Sequence, residues 1–176
     1  MKKKTIRYSL IMLMFLISAF SCDSCEDDID WNKLPAETHE GKNNMGCYVN
    51  GNLWAAYNNK SPFFVSDVWA TITKEDNNIK LLMGATRRDS DTGIGFRILN
   101  PKENETLTIS RIIFGLLEND TCSDVYDNCG SIFITKLDTI KNIVSGRFSF
   151  TLKCKDSISV VNVTDGRFDI SLFKEY

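Results

Sequence analysis

Between residues 147 and 154 apolar and polar side chains alternate without a break. Phe148, Phe150, Leu152 and Cys154 fall on one side, and Arg147, Ser149, Thr151 and Lys153 on the other. A strict period of two marks a strand with one face buried. Phe168, Ile170 and Leu172 repeat the arrangement, and both stretches open on Gly-Arg-Phe, 20 residues apart. A common strand role accounts for that likeness without an internal duplication. Earlier in the chain, β-rich runs at 68–73 and 79–83 are separated by the polar turn 75–78, and 94–98 alternates again. Leu107 and Ile109 mark a further short strand, while Asn50-Gly51 between Val49 and Leu53 is a two-residue hairpin signal, since both positions of a type I′ turn need positive φ. Only 111–118 is ambiguous. Ile112, Ile113, Leu116 and Leu117 have helical spacing, interrupted by Gly115, so one short helix is allowed there. The pattern predicts an all-β domain of about eight to ten short strands, an antiparallel sandwich or barrel.

The amino-terminal end follows different rules. Lys2, Lys3, Lys4 and Arg7 precede an apolar run from Leu10 to Phe20. Eleven residues are too few to span a bilayer, which takes about 20, but they suit the core of a signal peptide. Ala19, Phe20 and Ser21 then lead into Cys22, the context of a lipid-attachment cysteine. Cys25 has Asp23 and Ser24 before it, and that charge disfavours it as the anchor. An ordinary signal-peptidase cut, with both cysteines in disulfides, is the alternative. A triacylated Cys22 would hold the protein on a membrane stably, since two or more chains anchor where one does so marginally. The division expected is a signal peptide over 1–21, a disordered tether over 22–41 and a single β domain over 42–176. The tether is polar, carries Pro35 and shows little periodicity.

Charge narrows the partners. Of 21 basic residues four lie before Cys22, leaving 17 against 23 acidic ones, a net charge of −6. Nucleic-acid binding needs clustered Lys and Arg, and only the pair Arg87-Arg88 stands out, beside Asp89 and Asp91.

Chemistry is sparse. The one histidine, His39, falls in the expected tether, which argues against Ser-His-Asp or Cys-His catalysis and against His-Cys zinc. No cofactor or metal is expected. Cys47, Cys122, Cys129 and Cys154 allow three disulfide pairings. Cys122 with Cys129 closes a short loop, worth about 2.5 kcal/mol from loop entropy, which leaves Cys47 with Cys154; buried reduced thiols are the alternative. Asp89, Asp91, Glu118, Asp120, Asp124 and Asp127 read as solvated loop charge rather than a calcium loop. Trp54, Tyr57, Phe63, Phe64 and Trp69 cluster in sequence, and Trp54, Tyr57 and Trp69 are the candidates for a glycan-stacking platform, against the alternative of core packing.

Two stretches then carry a resemblance. Leu34 to Trp54 reads LPxxT-x-x-G-x-N-x-x-GC-x-VNG-x-x-W, and the chain closes on Ser145-Gly146-x-Phe148-x-Phe150 and on Thr164-x-Gly166-Arg167-Phe168-Asp169. This is similar to a Bacteroidetes lipoprotein family of unknown function, and it spans the mature chain with its specificity at the two ends. The resemblance implies an anchored all-β domain and no assigned activity. Glu26-Asp27-Asp28 resembles the surface-export signal of lipoproteins from that phylum, whereas Asp23 would direct inner-membrane retention under enteric-type sorting. The family likeness favours the outer membrane and surface exposure. Asp138-Thr139-Ile140 and Asp156-Ser157-Ile158 are similar to the short O-glycosylation pattern of its exported proteins. The expectation is a lipid-anchored, non-enzymatic outer-membrane protein acting by binding or structural association, its partners being the membrane and a glycan or outer-membrane protein. A glycan-binding module accessory to an uptake system is second, and an Asp/Glu hydrolase third.

Overall fold

The computed structural model describes residues 32–57, 68–75, 77–87, 92–116, 124–127, 130–153 and 160–174. The chain divides into two compact units, Met1–Asp30 and Trp31–Tyr176, and the first lies outside the described residues. The second is all-β. Its strands are β1 (Asn44–Val49), β2 (Asn52–Tyr57), β3 (Val68–Glu75), β4 (Asn78–Arg87), β5 (Thr92–Leu99), β6 (Glu105–Thr108), β7 (Arg111–Leu116), β8 (Asp124–Asp127), β9 (Ser131–Asp138), β10 (Ile143–Lys153) and β11 (Val160–Lys174). Among the described residues no helix is long and apolar enough to cross a membrane.

One curled sheet, a half-barrel, runs β6-β9-β10-β11-β3-β4-β5-β7-β8, with the β1-β2 hairpin attached to β11. The hairpin forms as its Asn-Gly predicts: Asn50 and Gly51 have φ of 49° and 81°. β11 is the joint. It pairs β10 along one side, β1 over 163–169 on the other, and then β3 over 172–174. That last pairing is parallel, the one departure from the antiparallel expectation among the described ladders. Residues 111–116, whose spacing allows a helix, are strand β7. Ladders to β5 on one side and β8 on the other satisfy its backbone, and Ile112 is fully buried opposite Phe96. Tertiary pairing outweighs the weak helical spacing there.

Curling brings the inner faces together. Phe96 of β5 meets Phe148 and Phe150 of β10 at ring-centroid distances of 4.8 and 5.9 Å, contacts worth about 0.5–1.5 kcal/mol each beyond area burial. Trp54 of β2 is buried too, and its Nε1–H donates to Thr92 Oγ1 at 2.8 Å, tying the hairpin to β5.

The two Gly-Arg-Phe stretches turn out to be partners. In the β10–β11 ladder Gly146 opposes Phe168, Arg147 opposes Arg167 and Phe148 opposes Gly166. Each phenylalanine ring lies on the other strand's glycine. A Cβ on Gly166 would stand 2.5–2.6 Å from three ring atoms of Phe148, and one on Gly146 would collide with Phe133 O and the Phe168 ring. Space, not backbone freedom, demands glycine at both positions. Gly166→Ala is expected to cost about 1–3 kcal/mol by overpacking, read as a lower urea midpoint; an unchanged midpoint would refute the reciprocal ring-on-glycine packing.

Candidate binding cleft

Residues 32–41 do not form a free tether. They run as a strap over the outer face of the sheet, and the domain therefore begins before the boundary expected at 42. Pro35 is buried against Gly46, where a Cβ would strike its ring. Tyr57, half-buried, holds its hydroxyl 3.5 Å from Lys33 O. His39, expected in a disordered spacer, is on this strap with Nε2 3.1 Å from Thr135 Oγ1 of β9.

Beneath the strap sits Asp169 of β11, 1% exposed. Oδ2 accepts from Thr38 Oγ1 at 2.5 Å, Glu40 N at 3.1 Å and Lys42 N at 3.3 Å; Oδ1 accepts from Ser145 Oγ at 2.8 Å and Gly41 N at 2.9 Å. Asn43 Oδ1 accepts from Ser171 N and Gly41 O from Ser171 Oγ, closing the seam. Burial opposes the carboxylate's charge, but the hydrogen bonds from Thr38, Ser145, Gly41 and Glu40 outweigh it and hold the carboxyl below its ordinary value. The residues of the motif in 34–54 and of the two closing strands thus meet in one place. Thr38, Gly41 and Asn43 bind β11, Ser145 and Asp169 receive the strap, and Gly46 makes room for Pro35. Asp169 carried no candidate role in the sequence because its donors lie 24 to 131 positions away.

Next to this clamp the outer face opens into a cleft of about 510 Å³, lined by Glu37, Ser131, Phe133, Arg147, Ser149, Asp165 and Arg167 among others. Its size falls within the roughly 300–1,000 Å³ of small-ligand sites. The cross-strand pairing of the Gly-Arg-Phe stretches sets Arg147 and Arg167 side by side, with Phe133 of β9 beyond Arg147. Two guanidiniums directly opposed repel, and Glu37 of the strap lies between them. Its Oε2 accepts from Arg147 Nε at 2.9 Å and Nη2 at 2.5 Å, and its Oε1 is 3.4 Å from Arg167 Nε. Arg167 Nη1 also reaches Pro35 O at 3.4 Å.

The residues singled out from the sequence are scattered. Trp54 is buried, so it belongs to the core and not to a platform with Tyr57 and Trp69. Trp69 is 40% exposed, its indole laid over Gly84 of β4. The expected Cys47–Cys154 bridge is corrected: Cys47 is a free, fully buried thiol, and burial pushes it up to about 12. On β11 it lies level with 164–167, whereas Lys153, the last residue of β10, faces Val160. Cys22, Cys122, Cys129 and Cys154 lie outside the described residues, as do Asp89, Asp91, Glu118, Asp120, Phe63 and Phe64. Among the described residues no group of three or more His, Cys, Asp and Glu could hold a metal ion. Asp138 accepts from Ile140 N and Lys141 N in the β9–β10 turn, with Thr139 exposed between them. No protein-family model, curated protein or solved structure matches the chain.

Asp169→Asn places an NH₂ group among five donors, and a loss of about 3 kcal/mol of stability is expected. The native carboxyl titrates below its unfolded value of about 3.9. Its contribution is therefore complete above that value and disappears as pH falls through the lower, folded one. Urea unfolding from pH 6 to pH 2 should show wild type losing more stability than Asp169→Asn over the acid limb; parallel curves would exclude a charged Asp169 as the clamp.

Proposed function

We propose that the chain is a lipid-anchored outer-membrane protein, displayed on the cell surface, whose β domain acts by binding and not by catalysis. The single observation that carries the binding reading is the cleft at the junction of strap and sheet. Its two arginines are fixed by a central strand pair, and its carboxylate is delivered by a strap that a buried hydrogen-bond clamp holds in register. Such a rigid polar arrangement suits recognition of a ligand. The anchor rests on Cys22, its small and apolar approach and the acidic string behind it. Labelling cells with a fatty-acid probe should mark wild type and leave Cys22→Ala unmarked; a labelled Cys22→Ala variant overturns the assignment.

A second reading, a glycan-binding module of an uptake system, is favoured by Trp69. Its indole lies over Gly84 and the residue is 40% exposed, and stacking on a sugar ring needs an accessible aromatic face. Phe173, 58% exposed, pairs with Thr71, two residues along the same face of β3, so the two aromatics are near neighbours. On a glycan array the mature chain carrying Cys22→Ser should bind, and Trp69→Ala should lose at least about tenfold in affinity, about 1.4 kcal/mol. Equal binding by both would remove Trp69 from the site.

A further inference from the structure

We propose that Arg147 and Arg167 form a receptor for the carboxylate of an acidic saccharide, and that Glu37 is its resident occupant. This rests on the binding reading above and assigns the cleft a ligand class.

The geometry is that of a carboxylate site already filled. Arg147 grips Glu37 with two N–H groups, and Arg167 approaches the second oxygen, the planar fork that guanidinium offers to any carboxylate. The site is also open. The side chains of Arg147 and Glu37 are 60% and 37% exposed, and an exposed ion pair is screened by water and contributes little. An incoming carboxylate therefore displaces Glu37 at small cost while Arg167 keeps its contact with Pro35 O. Charge favours the exchange. Without a carboxylate between them the two guanidiniums repel, so an anionic ligand replaces Glu37 more readily than a neutral one.

The rest of the cleft selects a saccharide. The Ser131 and Ser149 hydroxyls, whose oxygens are 3.5 Å apart, and the Asp165 carboxylate supply partners for ring hydroxyls, and Phe133 supplies an aromatic surface. An extended peptide would seek a free strand edge, and the strands beneath the cleft offer none. β9 is paired by β6 and β10, β10 by β9 and β11, and β11 by β10 and β1. The cleft is on the face of the sheet.

The test follows the side-chain Nε–H resonances of Arg147 and Arg167 by NMR in the mature chain carrying Cys22→Ser, titrated with tri-galacturonate, with cellotriose and with an acetylated tripeptide bearing a free carboxylate. Tri-galacturonate should shift both arginines, bind roughly two- to fivefold tighter to Glu37→Gln, as removal of a competing surface pair implies, and weaken more than about tenfold in Arg147→Ala. Silent arginines in both wild type and Glu37→Gln overturn the proposal, and the wild-type arm stands even if a variant fails to fold. A peptide that shifts them as strongly as the saccharide overturns the ligand class. Cellotriose acting at the Trp69 indole with the arginines silent overturns the receptor while leaving the glycan reading intact.

Discussion

The β10–β11 pair is the constraint from which the rest follows. Its register sets Gly146 against Phe168 and Phe148 against Gly166, so two bulky rings lie flat on two bare stretches of backbone. On the inner face this lets Phe148 reach Phe96 of the opposing half and close the core. On the outer face the same register forces Arg147 and Arg167 together. A one-residue slip would exchange the two faces, placing arginines in the core and rings in water. Packing on one side of the sheet therefore creates an electrostatic problem on the other, and the strap's Glu37 answers it.

The strap stays in place because of a second buried element. Asp169 is a charge taken out of water, tolerable only with its hydrogen bonds made. Five donors make them, three from the strap, one from Lys42 just after it and one from Ser145. Breaking the strap away would strand that carboxylate, which explains why a segment with little hydrophobic periodicity is nonetheless held on the sheet. Polar satisfaction, more than apolar burial, fixes it. Pro35 packs closely against Gly46 at one end, and the clamp and the arginine bridge share the remaining work along 37–42.

Much of the fold was legible locally. The Asn50-Gly51 turn and the alternation through β10 and β11 read directly from the chain, because turn chemistry and a period of two are short-range properties. Residues 111–116 were not legible. Four apolar residues around one glycine fit helix or strand, and the ladders to β5 and β8 decided it. The expectation for Cys47 failed for a related reason. Alternation gives it inward parity, but parity says nothing about level, and the β1–β11 register sets Cys47 well away from the end of β10.

The site divides the same way. The sequence by itself determined that this is an all-β chain and that two Gly-Arg-Phe stretches recur 20 residues apart. Only the tertiary structure decided that those stretches pair with each other, that Thr38 and Gly41 belong to Asp169, and that Glu37 bridges the arginines. It also put Trp54 in the core and left Trp69 outside. These are contacts between residues more than a hundred positions apart in several cases, and no local pattern encodes them. They exist because a long central strand must satisfy both edges and both faces at once, and only the folded sheet brings those partners within hydrogen-bonding reach.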